Sequence, residues 1–262
     1  MKITLDGKTA LVTGGANGLG KDIVSKLANA GARVAFTSRD SSALEKVAAC
    51  IHGDVLPIHA DISRSDDLNN VYDLVKEKFG GVDILINNIG HTMGVTDPFN
   101  ASKDEWASVF NLNFLCHVEV VNKFLPYMRG NNWGRIVNIT SLAGLEISGP
   151  ALFNSAKAAL TAYTRSVGRL LATERLNIVM TAVAPGVVFT EGGHWEQMMR
   201  ESPEHVEKYL RDRTALGRFG TDDEVNDIVV FLASDRASFF HGAILQVDGG
   251  QSRHYMPHTF MD

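Results

Sequence analysis

Phe153 and Lys157 lie four residues apart in a run that continues Ala158-Ala159-Leu160-Thr161-Ala162-Tyr163, a good helical composition, so the two side chains share one face. An amine one turn from a phenol favours the phenolate and makes a general acid/base suited to carbonyl–alcohol chemistry. Position 153, however, carries a phenylalanine, which has no proton to move. The second chemical feature is Leu11-Val12-Thr13-Gly14-Gly15-Ala16-Asn17-Gly18-Leu19-Gly20, where an apolar burst runs into glycines and then into a helical stripe of Leu19, Ile23, Val24 and Leu27. Glycines at 14, 18 and 20 permit a tight turn and close approach of a pyrophosphate, and the following helix offers unpaired N–H groups with a favourable dipole. A glycine turn alone is weak evidence, since many strand–helix turns need positive φ.

The elements that must position these residues are readable from apolar bursts of strand length: Thr9 to Val12, Arg33 to Thr37, Val55 to His59, Ile84 to Ile86, Arg135 to Ile139, Ile178 to Val183 and Ile244 to Val247. Stretches of helical periodicity alternate with them, as in Leu68, Val71, Tyr72 and Val75, and continuous apolar strands suit a parallel sheet covered on both faces. The expected fold is therefore α/β, a Rossmann-type doubly wound parallel sheet. Ser42 with Glu45, Ser102 with Glu105 and Thr221 with Glu224 have the capping-box spacing that opens a helix. No linker, charge block or repeat divides residues 1–262, which are expected to form one domain. Only the segment from 187 to about 216, with Gly192-Gly193 before a polar, Met-rich and aromatic stretch, departs from the alternation; it reads as a small helical substrate lid above the strand ends.

The chain has 262 residues, 45% hydrophobic and 21% charged, with a net charge of −5. That balance carries no electrostatic footprint for nucleic acid or an anionic membrane, and no apolar run approaches the length of a membrane span. Met1 to Lys8 has no apolar signal region, and Cys50 and Cys116 alone suggest free thiols in a reducing compartment, so a cytoplasmic protein with a small-molecule substrate is expected. No metal-ligand set is expected.

Taken in order, Thr13-Gly14 to Gly20, Asp61-Ile62, Asn87-Asn88-Ile89-Gly90, Asn113, Ser141, Lys157, Pro185-Gly186 and Asp248-Gly249-Gly250 resemble the motifs of the classical short-chain dehydrogenase/reductases over almost the whole chain. The resemblance implies a dinucleotide along Gly14, Asn17, Gly18, Leu19 and Gly20, with Asp61 and Ile62 at the adenine. Asn87, Asn88 and Gly90 would then lie along the cofactor, and Pro185, Gly186, Val188 and Thr190 beside the nicotinamide. Each motif also has a plainer reading: Asn87 and Asn88 as a strand end, Asp61 as a helix cap, Pro185-Gly186 as a turn. The resemblance further implies a homotetramer, with a homodimer as the fallback, built through the C-terminal part from Ile228 onward.

The end of the second strand bears on which dinucleotide is taken. An acidic residue there bonds the ribose hydroxyls of NAD, whereas a guanidinium accommodates a 2′-phosphate. Ser38 holds the usual acidic position by family alignment, leaving Arg39 for phosphate, so NADP(H) is expected over NAD(H). The alternative is that Arg39 is a solvated charge and Asp40 recruits the ribose.

In the family pattern Asn113 would hold a relay water, Ser141 would hydrogen-bond the substrate oxygen, and Lys157 would bind the nicotinamide ribose and lower the pKa of the acid. Phe153, twelve residues after Ser141, stands where the tyrosine belongs. Tyr163 is ten residues further on, close to three helical turns away. His91, His194 and Glu146 are the polar candidates for a substitute acid. Three readings follow. One is a carbonyl/alcohol oxidoreductase in which Phe153 is an introduced inactivating change or a natural one with another proton source. A second is a dehydration, isomerisation or alkene reduction that needs no phenol, and the third is a dinucleotide-binding sensor without turnover.

Overall fold

A computed structural model describes residues 3–252; Met1 and Lys2 of the leading stretch, and residues 253–262, lie outside the described residues. The strands are β1 (Thr9–Val12), β2 (Arg33–Ser38), β3 (Val55–His59), β4 (Ile84–Asn87), β5 (Trp133–Ile139), β6 (Asn177–Pro185) and β7 (Ile244–Val247). They form one parallel sheet in the order β3-β2-β1-β4-β5-β6-β7. Every expected strand is present. Several extend into polar residues that an apolar pattern passes over, because the ladder pairs backbone rather than side chains, as in Asn87 opposite Asn138.

The α-helices are α1 (Gly18–Asn29), α2 (Ser41–Cys50), α3 (Ser65–Phe79), α4 (Lys103–Phe110), α5 (Cys116–Gly130), α6 (Ala151–Thr173), α7 (His194–Glu201), α8 (Pro203–Arg213) and α9 (Asp222–Leu232). Strand side chains alternate between faces, so Ala10 and Val12 pack with Ile23, Val24 and Leu27 of α1 and Val225 and Val229 of α9. Leu11 instead joins Val71 and Val75 of α3, Val120 and Phe124 of α5 and Leu171 of α6 on the opposite face. Each such side chain, removed from water, contributes about 1.5–3 kcal/mol. The result is the doubly wound arrangement that the alternation of apolar and amphipathic segments predicts.

Two of the three expected capping boxes form, at Ser102 with Glu105 and at Thr221 with Glu224. The third does not. Asp40 caps α2 instead, accepting from Ala43 N at 3.1 Å and from Ser42 Oγ at 3.0 Å, because a carboxylate placed just before the helix outcompetes the Ser42 hydroxyl for the free N–H groups. Between α4 and α5 the chain makes one π-helical turn, Asn111–Leu115, with Cys116 N–H reaching back to Asn111 O. Among the described residues no helix is long and apolar enough to cross a membrane.

The strand order reverses between β1 and β4. Loops after these two strands leave in opposite directions and open a crevice at the C-terminal ends of the sheet, which is where an α/β sheet of this kind takes a ligand.

Candidate active site

That crevice is a cleft of about 620 Å³ whose walls include Gly14, Ser38, Asp61, Ser141, Phe153 and Lys157. At its floor the glycine turn is built tightly. Gly14 and Gly18 adopt φ of 67° and 51°, a region costly for other residues. A Cβ on Gly20 would lie 2.1 Å from Gly14 O, so nothing larger fits there. Gly15, which spacing alone does not single out, is as constrained: its Cβ would meet Phe36 Cβ at 2.6 Å. Asn88 braces the turn, donating from Nδ2 to Thr13 O and Gly14 O, both at 3.1 Å, and from its backbone N–H to Thr13 Oγ1 at 3.0 Å. Asn17, Gly18 and Leu19 also line the cleft.

The start of α1, like that of α6, is left without a side-chain cap or an acidic first turn. By contrast, α4 and α9 have capping boxes and two or three acidic residues in the first turn. The N–H groups and positive dipole end of α1 are left for an anion.

On one side of the turn stand Ser38, Arg39, Asp61 and Ile62. Asp40 is taken up by capping α2, and its backbone N–H bonds Ser38 Oγ at 3.1 Å. Asp61 Oδ1 accepts from Ser63 N and Oγ at 3.0 and 2.6 Å, closing the turn before α3, while Oδ2 lies 3.9 Å from Arg39 Nη1. The Arg39 side chain is 72% exposed at the cleft edge, with Asp61 as a distant partner.

The opposite side holds Gly90, Ser141, Phe153, Lys157, Pro185, Gly186 and Thr190. Lys157 is 2% exposed and donates to Ile139 O at 2.9 Å. Burial pulls its pKa down to about 8. Its Nζ sits 5.7 Å from the centre of the Phe153 ring, as the four-residue spacing predicts. Ser141 begins a short 3₁₀ turn, Leu142–Gly144, its Oγ accepting from Ala143 N at 3.1 Å. Tyr163 is remote from this chemistry. It packs edge-on against Phe114, with its phenol pushed up to about 12 by burial.

Besides Gly20, packed under the turn, three expected site residues lie behind the cleft rather than in its wall. Asn87 is fully buried and donates to Asn138 Oδ1 at 2.8 Å. Asn113, in the π-helical turn, clamps the loop after β4: Nδ2 donates to His91 O and Val109 O, both at 2.9 Å, and Oδ1 accepts from His91 N at 3.0 Å. Val188 pairs with Gly220 and packs against the core. Sequence reading also missed His117, one turn beyond Asn113. It is fully buried, and Nε2 donates to Ile89 O at 2.9 Å. Its Nδ1 has no partner among the described residues. Burial and then the Lys157 charge hold it neutral, at about 3, so it braces the same loop without titrating. The i, i+4 spacing from Asn113 is the signal that could have exposed it.

Of the three polar candidates, only His91 lines the cleft, and its Nδ1 accepts from Met93 N at 2.8 Å. His194 stacks on Trp195, and Glu146 hydrogen-bonds Ser252 Oγ outside the cleft. Residues 187–216 contain α7 and α8, where Trp195 packs on Tyr209 and on Phe219, ring centres 4.6 and 5.5 Å apart.

The family described as enoyl-(acyl carrier protein) reductase matches residues 14–252. The 3-oxoacyl-[acyl-carrier-protein] reductase FabG of Aquifex aeolicus is 33% identical over 259 residues, covering 95% of this chain and 99% of that one. This chain belongs to the short-chain dehydrogenase/reductase family. The 2,3-dihydroxy-2,3-dihydro-p-cumate dehydrogenase of Pseudomonas putida is likewise 33% identical, over 257 residues, covering 95% and 96%. Among solved structures, levodione reductase superposes with a TM-score of 0.86 at 28% identity, covering 95% of this chain and 99% of that one. L-Sorbose reductase from Gluconobacter frateurii, at a TM-score of 0.90, 24% identity and coverage of 97% and 99%, shares the fold. Membership makes the chain an oxidoreductase by family.

Proposed function

We propose that the protein transfers hydride between NADP(H) and a small carbonyl/alcohol substrate, with a proton route that bypasses the phenol its relatives' motif calls for. One observation carries the reading: Ser141 and the buried amine of Lys157 line one cleft with the glycine turn, around a Phe153 ring that cannot titrate. The dinucleotide, when bound, supplies or accepts the hydride. The residues present fit it, since the Gly14–Gly20 turn excludes side chains where a pyrophosphate approaches and the start of α1 is left uncapped.

Ser141 Oγ, with its own proton, polarises the substrate oxygen. Lys157 has one hydrogen-bond acceptor for three N–H groups, so it can orient a water in the space beside Phe153 and return a proton through it. Asn113 and His117 position the Ile89–His91 loop that forms the cleft's inner wall. NADP(H) is favoured over NAD(H) because the acid nearest Ser38 in sequence, Asp40, is engaged at the start of α2, while the Arg39 guanidinium stands exposed at the cleft edge.

Residues 187–216 act as the substrate lid. The unpaired thiols, Cys50 exposed and Cys116 buried, suit a reducing cytoplasm. Exposed Leu115, Leu170 and Phe239 support assembly into a homotetramer or homodimer, and sedimentation as a monomer would exclude it.

Alkene reduction on the same site is the second reading, motivated by the missing phenol. The deciding experiment titrates the protein with NADPH and NADH, then follows NADPH oxidation with ketone, aldehyde and enone panels. Tighter NADPH binding and slow ketone reduction are expected. Tighter NADH binding, or turnover confined to enones, refutes the reading.

A further inference from the structure

We propose that a second cavity beside the reacting end of the cleft holds the remote part of the substrate and selects substrates ending in an oxyanion, a carboxylate or a phosphate ester, through Tyr209 and Arg213. This inference rests on the carbonyl/alcohol reading above. The cavity, about 280 Å³, lies between residues 146–149 and α8.

Its walls touch the reaction centre at separate points. Leu142 directly follows Ser141, and a Cβ on Gly149 would stand 3.6 Å from Phe153 Cδ1. Gln251, buried in the wall, accepts from Val187 N at 2.8 Å, just past Pro185-Gly186, and donates from Nε2 to the Tyr209 hydroxyl at 3.0 Å. The phenol oxygen is thus already an acceptor, and its own hydrogen has no acceptor among the described residues.

Arg213 follows Tyr209 by four residues on α8, so both meet the same cavity. Neighbouring arginines are neutralised: Arg200 by Glu196, Arg211 by Asp212 and Arg218 by Glu224. Arg213 has no carboxylate partner among the described residues. Glu146 lies in the lining too, and its carboxylate, which accepts from Ser252 Oγ, keeps its negative charge, so the oxyanion is held on the Tyr209 and Arg213 side of the cavity. A guanidinium and a phenol hydroxyl on one face form a charge-assisted pair of donors for one oxyanion, with Leu142 and Ile147 left for an apolar spacer.

The test measures binding directly, so slow turnover does not mask it. Calorimetry of the NADPH-loaded protein is run with methyl-ketone acids of increasing chain length, their methyl esters, and phosphate esters of the matching keto alcohols. At least one acid or phosphate is expected to bind about tenfold more tightly than its neutral partner. The acid and phosphate arms show which oxyanion is preferred. Arg213→Ala should abolish that advantage, Arg213→Lys keep part of it, and Tyr209→Phe reduce it, all with unchanged NADPH affinity. Equal binding of acids and esters across the series, or an advantage that survives Arg213→Ala, overturns the inference while leaving the carbonyl/alcohol reading standing. Failure of the parent protein to bind NADPH at all refutes both.

Discussion

Two buried cations stand at opposite ends of β5. Arg135, near its start, is fully buried and answered on every side: Nε donates to Ser234 O at 2.9 Å, Nη1 to Gly134 O at 2.8 Å and Asn177 O at 2.9 Å, and Nη2 to Asn177 Oδ1 at 3.0 Å. The Trp133 ring covers it at 4.6 Å and Asp235 lies 3.6 Å away. Lys157, bonded to Ile139 at the other end of the strand, is nearly as buried but has a single acceptor. Burial lowers both, Arg135 to about 10 and Lys157 to about 8. The difference separates structure from chemistry: a desolvated charge with four of its five N–H donors bonded locks the chain, and one with most of its donors to spare is available to a ligand.

Substituting each cation in turn gives the sharpest test of that contrast. Arg135→Met strands carbonyls of Gly134, Asn177 and Ser234 and should cost about 3 kcal/mol or more of stability in denaturant unfolding, without changing NADPH affinity. Lys157→Met should do the reverse, lowering hydride-transfer rate about 10²-fold or more while leaving stability intact or improved. Equal loss of stability in both variants would erase the distinction.

The pH dependence of stability gives the next largest effect. Because Lys157 titrates near 8 when folded and near 10.5 when unfolded, the unfolded chain holds more protons between those values, so stability rises with pH across that window. The gain is roughly 3 kcal/mol. Cys116 and Tyr163, both raised to about 12 by burial, act in the opposite direction at the upper end. The difference between the parent and Lys157→Met reports the lysine, and its pH dependence should level off above about pH 10.5. A difference independent of pH would show that the amine titrates normally.

Arg39→Ala carries the smallest expected effect. Loss of a charge-assisted contact to a 2′-phosphate should weaken NADPH about tenfold and leave NADH within about twofold, read by fluorescence titration. Parallel loss of both would move Arg39 out of cofactor discrimination.

Much of the frame was legible because parallel strands covered on both faces must be continuously apolar, and the glycine turn must be glycine wherever Gly14 O meets Gly20. Side-chain direction was not. Successive residues of a strand point to opposite faces, so only one of Asn87 and Asn88 can reach the crevice; the sequence does not say which, and Asn87 turned inward to Asn138. Asp40 offered both a helix cap and a ribose ligand, and only the structure shows that it caps α2 through Ser42 and Ala43. His117 and Arg213 gave no motif at all. Their interest comes from burial in one case and from an unanswered charge in the other.

The central claim is that the cleft is complete for cofactor and substrate but lacks the group that moves the proton fastest. Single-turnover hydride transfer in the NADPH-loaded parent and in Phe153→Tyr, against the same ketone at pH 7, tests it most directly. A rate increase of about 10² to 10⁴ with NADPH affinity unchanged is predicted. An equal or slower rate in Phe153→Tyr would contradict it.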